Sequence, residues 1–143
     1  MATSADRRAL LVDTSVAVPL VTRDHPDFEA VHAAVGRRRL GLAGHAAFET
    51  FSVLSRLPAP ARRTPAVIRT LLDRNFPATV FLGAERSADL LAALGSHRLT
   101  GGSVYDALVG AAAVEHGMTL VTRDRRALPT YAVLGVGVEV LGI

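Results

Sequence analysis

Four carboxylates stand in this sequence at positions where a carboxylate is expensive. From Ala9 to Thr22 there are fourteen residues and a single charge, Asp13; from Ser103 to Val114 there are twelve and again a single charge, Asp106. Between Leu40 and Ser55 the only formal charge is Glu49, with His45 one turn before it, and Asp124 follows the apolar run Met118 to Val121 by three residues. Burying such a group is costly unless it is paired, so an apolar segment rarely keeps one without a task. Carboxylates that converge repel one another and need a cation. A set of oxygens without His or Cys favours Mg²⁺ or Mn²⁺ over zinc. The chemistry implied is phosphate chemistry, in which a metal held by a few carboxylates and several waters polarises a phosphodiester and supplies hydroxide for in-line attack.

Elements that would bring these acids together are legible in the apolar pattern. Short strand-like runs alternate with longer helical stretches, the pattern of a parallel sheet covered by helices. The expected strands are Leu10 to Val12, Gly41 to Ala43, Ala78 to Leu82, Met118 to Val121 and Val138 to Leu141, about five in all. The expected helices are Ser15 to Val21, Pro26 to Arg37 with Asp24 as a cap, His45 to Leu57, Thr64 to Arg74, Glu85 to Leu94 and Ser103 to His116. Pro58 and Pro60 end the third, and Gly117 stops the last. No repeat or long linker divides residues 1–143, which are expected to form one α/β domain. In a parallel βα sheet the carboxyl ends of the strands and the amino ends of the following helices share one edge, where such folds place their sites. All four acids map to that edge.

Composition removes several rival chemistries. The 143 residues, half of them apolar, suffice for a core, and disorder is not expected. All 16 basic residues are arginine, against 13 acidic ones, for a formal charge of +3. Without lysine there is no Walker A loop and no Schiff base; without cysteine there is no disulfide, thiolate zinc site or Cys nucleophile. Arg7, Arg8 and the run Ala9 to Val12 do not make an export signal, because Asp13 interrupts the run and no clear cleavage site follows. No apolar stretch is long enough to span a membrane, so a cytoplasmic protein is expected. Arginines cluster at 37–39, at 62–63 and at Arg123, Arg125 and Arg126. The last cluster borders the acids, where cations would offset the repulsion between carboxylates and a phosphate backbone, so RNA contact is assigned there. Tyr105, beside Asp106, is a candidate for stacking on a base, although packing is the commoner role for such a ring.

The same residues carry a family resemblance. Leu11-Val12-Asp13-Thr14-Ser15, then Phe48-Glu49-Thr50-Phe51-Ser52-Val53-Leu54-Ser55-Arg56-Leu57, then Ser103 to Ala113 around Asp106, and finally Leu120-Val121-Thr122-Arg123-Asp124 follow one another in order over nearly the whole chain. In this they resemble the PIN-domain ribonucleases, and most of all the VapC-type toxins of bacterial toxin–antitoxin pairs. The resemblance implies a three-layer PIN-like fold and a Mg²⁺-dependent endoribonuclease, with Mn²⁺ able to substitute. It implies metal binding and catalysis by Asp13, Glu49, Asp106 and Asp124, with Ser15 and Thr122 as polar helpers. It also implies a homodimer silenced by a VapB-type antitoxin, which would lay a segment across the acidic cleft. The apolar helices Pro26 to Val35 and Thr64 to Leu72 are candidates for holding the antitoxin or the second subunit. The family often has an aromatic residue shortly after the fourth acid. Here Arg125-Arg126-Ala127-Leu128 follows Asp124, with Leu128 expected in the packing role and Asp124 expected to act through water.

Each acid also has a plainer reading. Asp13 is placed to cap the helix that follows, and Ser103-x-x-Asp106 has the spacing of a capping box. Glu49 can pair with Arg56 on an exposed face, and Asp124 can belong to a solvated charged loop. Four such coincidences on one sheet edge weigh against these readings together. A phosphatase with Asp13 as covalent nucleophile, of the haloacid-dehalogenase kind, would want a second Asp where Ser15 stands and a lysine that the chain lacks. A non-catalytic PIN-like module that binds RNA or protein is the other alternative. The segment Gly101 to Tyr105 lacks the last glycine of a nucleophile elbow, the five histidines do not cluster, and Gly135, Gly137 and Gly142 precede no helix.

Overall fold

The computed structural model describes residues 8–143; Arg7, of the arginine pair weighed as an export signal, lies outside them. Four short parallel strands, β1 (Leu10–Val12), β2 (Leu40–Leu42), β3 (Leu120–Thr122) and β4 (Val138–Val140), lie side by side in the order β2-β1-β3-β4. Val12 pairs with Leu42 on one side and with Val121 on the other. Among the described residues seven helices flank the sheet: α1 (Thr14–Val21), α2 (Phe28–Val35), α3 (His45–Ser55), α4 (Pro65–Asn75), α5 (Ala84–Ala93), α6 (Ser103–Glu115) and α7 (Leu128–Val133). Among the described residues, no helix is long and apolar enough to cross a membrane. The main core joins Leu11, Val12, Leu40, Leu42, Leu120 and Val121 of the sheet to Val16, Val31, Phe76, Val109 and Tyr131 of its surroundings. Strands buried on both faces read as continuous apolar runs, as Leu10-Leu11-Val12 does, whereas the edge strand β4, Val-Glu-Val, is only partly buried.

Local chemistry sets most element ends. Asp13 accepts from the Ser15 amide and starts α1, Thr64 accepts from the Val67 amide with Pro65 in the first turn of α4, and Gly36 and Gly117, both at positive φ, stop α2 and α6. The second helix is shorter than Pro26 to Arg37 because Gly36 ends it and because Asp24 and Pro26 lie in the preceding turn. Arg38 then folds back, donating to the Ala34 and Val35 carbonyls and forking onto both oxygens of Glu139 in β4 at 2.7 and 3.1 Å.

The expected strand Ala78 to Leu82 shrinks to a single bridge between Val80 and Ala43. Ala78 and Val80 do donate to the Leu40 and Leu42 carbonyls, but the Leu42 amide donates to the Thr79 hydroxyl. A side chain has taken an acceptor position that belongs to the backbone of a neighbouring strand, so the ladder stops, and the sheet has four strands where about five were expected. The close approach demands glycine at position 41: a Cβ there would stand 2.1 Å from the Ala78 carbonyl oxygen and 2.6 Å from the Thr79 nitrogen. Neither atom can swing away. Gly41→Ala is expected to cost about 2 kcal/mol, within the range of core overpacking, and to lower the melting temperature by about 7 °C; a melt unchanged from wild type would contradict this packing. The other unanticipated element is at the end of the chain, where a 3₁₀ turn (Arg125–Ala127) runs into α7.

Candidate functional site

The order β2-β1-β3-β4 makes the gap between β1 and β3 the place where the connections switch sides, and a crevice opens there beyond the carboxyl ends of the strands. Asp13 leaves β1 into this crevice and Asp124 follows β3 into it. Glu49 comes from α3 and Asp106 from the first turn of α6. With Thr14, Ser15, Val109 and Tyr131 they line one open cavity of about 60 Å³. The structure therefore brings together all four acids that the sequence singles out, which are separated by up to 111 positions.

Asp13 is the most enclosed, 5 % exposed. One of its oxygens accepts from the backbone amide and hydroxyl of Ser15, the other from the hydroxyls of Thr122 and Tyr131, the last at 3.0 Å. The two small hydroxyls are themselves fixed: Ser15 Oγ accepts from the Arg123 amide at 2.9 Å and Thr122 Oγ1 from the Asp124 amide at 3.0 Å. Ser15 and Thr122 thus tie the start of α1 to the turn after β3 through Asp13. Burial pushes the Asp13 carboxyl above its ordinary range, and the hydrogen bonds from Ser15, Thr122 and Tyr131 oppose that rise. Tyr131 is pushed upward, by burial and then by the Asp13 charge, and stays a hydrogen-bond donor. The helix-capping reading of Asp13 is correct as far as it goes, since the Ser15 amide bond is a cap, yet three of its four bonds come from side chains that capping does not require.

Asp106 differs. It accepts no hydrogen bond among the described residues, and the capping box does not form: the Ser103 hydroxyl donates to the Thr100 carbonyl and accepts from the Thr100 amide. Burial raises the Asp106 carboxyl, followed by the negative charges of Asp124, Glu49 and Asp13, with only Arg126 pulling the other way. Glu49 is held by His45, 3.5 Å away, and by the Thr14 hydroxyl at 3.5 Å; the partner weighed in the sequence, Arg56, is not engaged. Burial also raises Glu49, against the pull of His45 and Thr14, with the Asp13 charge adding to the rise. Asp124 accepts from the Arg126 amide and from its guanidinium at 3.3 Å, capping the 3₁₀ turn.

Two residues of the site had no signal of their own. Thr14 is one. Tyr131 is the other: Leu128 packs on the core as expected, but the aromatic that reaches the acids comes later, from α7. A tyrosine in an apolar run near the chain end needs a partner for its hydroxyl once buried, and that need was the available hint. The arginines divide. Arg125 and Arg126 are exposed at the rim. Arg123 is turned inward, 15 % exposed, with its guanidinium on Asp27 and on the Ser15 and Ile143 carbonyls. The expectation that Arg123 faces RNA is corrected accordingly: its charge is spent on tying β3 to α1 and the start of α2.

The donor set suits a hard divalent cation. Its oxygens come from carboxylates and hydroxyls, and the one carboxylate without a hydrogen bond, Asp106, faces three others. Among the described residues no three acidic or histidine side chains close into a ready cage. Mg²⁺ does not need one, because it keeps several waters and takes one or two carboxylates. Asp13, with four donors on it, has no free in-plane lone pair, so a cation there shares or replaces one donor.

Comparison with known proteins agrees with this geometry. The family model described as the PIN domain matches residues 10–133. Ribonuclease VapC27 of Mycobacterium tuberculosis is 47 % identical over 131 residues, covering 92 % of this chain and 96 % of that protein. Among solved structures, VapBC2 from Rickettsia felis, bound to a DNA fragment from their promoter, superposes with a TM-score of 0.65 at 12 % identity, covering 94 % of this chain and 99 % of that one. VapC20 of Mycobacterium tuberculosis, a sarcin-ricin loop cleaving toxin, gives 0.62 at 17 % identity, covering 86 % and 94 %. These two likenesses concern the fold. With the PIN-domain model matching residues 10–133 and a relative 47 % identical along almost its full length, the chain belongs to the PIN-domain family, among the VapC-type ribonucleases.

Proposed function

We propose that this protein is a Mg²⁺-dependent endoribonuclease that acts as the toxin of a toxin–antitoxin pair. The observation that carries the reading is Asp106, a partly buried carboxylate with no hydrogen bond among the described residues, faced by three more acids and offset only by Arg126 unless a cation sits among them. Asp13, Glu49 and Asp106 would hold the ion, with Asp124 assisting through water. A cation bound there supplies positive charge to a phosphodiester and acidifies an attacking water. The protein's own groups do the rest. Ser15, Thr122 and Tyr131 fix the Asp13 carboxylate, His45 and Thr14 fix Glu49, and Arg125 and Arg126 at the rim offset the charge of the RNA backbone. Positioning of this kind needs no protein nucleophile.

The partners proposed with it are RNA, a second copy of the chain and a VapB-type antitoxin. The relatives' names support the antitoxin, and the acidic crevice suits an inserted arginine. An RNA target and the lack of a spanning helix among the described residues support the cytoplasm as the place of action. The test is incubation of antitoxin-free protein with total RNA at matched Mg²⁺ and EDTA. Discrete fragments are expected with Mg²⁺ alone, and their ends identify the target. Intact RNA with folded protein in Mg²⁺ would favour the non-catalytic module.

A further inference from the structure

Three of the chain's seven Phe and Tyr rings are more than half exposed: Phe48 at 65 %, Phe81 at 54 % and Tyr105 at 53 %. They are not scattered. The Tyr105 ring stacks on His45 with centroids 5.2 Å apart and planes 17° apart, His45 lies 6.5 Å from Phe48, and Phe48 lies 6.1 Å from Phe81. Four rings form a continuous shelf. Its inner end is the lip of the acid crevice, because Tyr105 precedes Asp106 and Phe48 precedes Glu49, while His45 contacts Glu49 directly. The helix starts that carry two of the acids therefore carry three of the rings as well, and Phe81 joins them from the segment before α5.

We propose that this shelf stacks an unpaired nucleobase of the substrate RNA beside the phosphate that the acids engage. The inference rests on the endoribonuclease reading and adds to it the side chains that seat a base next to the acids. Tyr105 stays 53 % exposed although it stacks on His45, and successive base and aromatic layers are how single strands are gripped without sequence readout. Next to Phe48 opens a groove of about 320 Å³ lined by His45, Glu49, Ser52, Val53 and Arg56, which mixes a ring face with a cation and a hydroxyl. That lining matches a nucleotide better than an apolar protein surface, which would strand Glu49 and Arg56. The area points the same way. Three rings a little over half exposed present roughly 300 Å², against about 800 Å² that each side of a stable protein interface buries.

The test is binding of a short unstructured RNA carrying 2-aminopurine, whose fluorescence falls on stacking, in parallel with a blunt RNA duplex. The full chain is used as Asp106→Asn to prevent cleavage. Tyr105→Ala and Phe48→Ala are each expected to weaken single-strand binding by about 5- to 150-fold, the worth of one stacked base, and to abolish the quench. Tyr105→Phe is expected to keep both, and duplex binding and the salt dependence are expected not to change. Tyr105 and Phe48 are exposed, so the thermal melts should stay at the parental value. Unchanged affinity and quench in both alanine variants would overturn the proposal. So would loss of RNA accompanied by dissociation of a dimer in sedimentation, which would assign the rings to a second copy of the chain. Binding fails or holds independently of catalysis: a wild-type protein that cuts RNA while its alanine variants bind and cut equally well sinks the shelf alone, and a protein that cuts nothing in Mg²⁺ sinks the nuclease reading.

Discussion

Asp106→Asn is expected to abolish RNA cleavage and, at the same time, to raise the melting temperature of the metal-free protein. The first effect follows from the proposed function, because Asp106 offers its oxygens to the cation unencumbered by other bonds; losing one group of such a site costs about 10²- to 10³-fold or more. The second follows from the protein alone. Asp106 is penalised by burial and by the charges of Asp124, Glu49 and Asp13. Asparagine removes all of these at nearly constant shape. The favourable position of an acid in the first turn of α6 is lost too, but a helix-end charge contributes only about 0.3–1 kcal/mol at the surface. Gain of stability with loss of activity is the signature of a residue kept for function. Activity within tenfold of wild type, with an unchanged melt, would remove Asp106 from the site. Asp13→Asn should also abolish cleavage but without the gain in stability, since Asp13 is embraced by four donors.

The second large effect is a stability that runs against the usual pH trend and reverses when metal is added. Asp13, Glu49 and Asp106 are all raised above their ordinary range in the folded, metal-free protein. The folded state then binds more protons than the unfolded one between the ordinary carboxylate range, about pH 4, and the raised values. The contribution of these groups is fully present below that range and is lost as pH rises through the raised values. Other carboxylates respond in the opposite sense, so the quantity to measure is the difference in melting temperature between wild type and Asp106→Asn. That difference should widen as pH rises, and a difference constant with pH would refute the coupling. Mg²⁺ or Mn²⁺ binds the deprotonated acids and must act the other way, stabilising the wild type more at high pH than at low. At one hundred times the dissociation constant the gain is about 2.7 kcal/mol, or roughly 9 °C for a chain of this length. Asp106→Asn should lose most of it. No metal-induced shift in the wild type, at any pH, would contradict the cation site.

What the linear sequence determined about this protein is what short-range chemistry controls. Runs such as Leu10 to Val12 and Leu120 to Val121 announce buried parallel strands because both faces of each are covered. Helix ends follow from Thr64-Pro65 and Gly117 because capping and positive φ act within a few residues, although the helix expected over Pro26 to Arg37 runs past the stop at Gly36. The four acids were legible for a related reason: each interrupts an apolar stretch, and the interruption is visible without knowing what lies opposite. What lies opposite was decided only in three dimensions. The pairing of β1 with β3 sets Asp13 against Thr122, 109 positions away, and brings the Tyr131 hydroxyl onto the same oxygen. It turns Arg123 inward to Asp27 while Arg125 and Arg126, its near neighbours in sequence, stay in solvent. The Thr79 hydroxyl ends a strand whose residues promised one. Phe48 and Phe81 carry the same apolar signal as the buried Phe76, yet they lie exposed. Hydrophobic pattern records that a side chain avoids water on average; it carries no record of its partner, because what lies opposite is set by distant parts of the chain packing together.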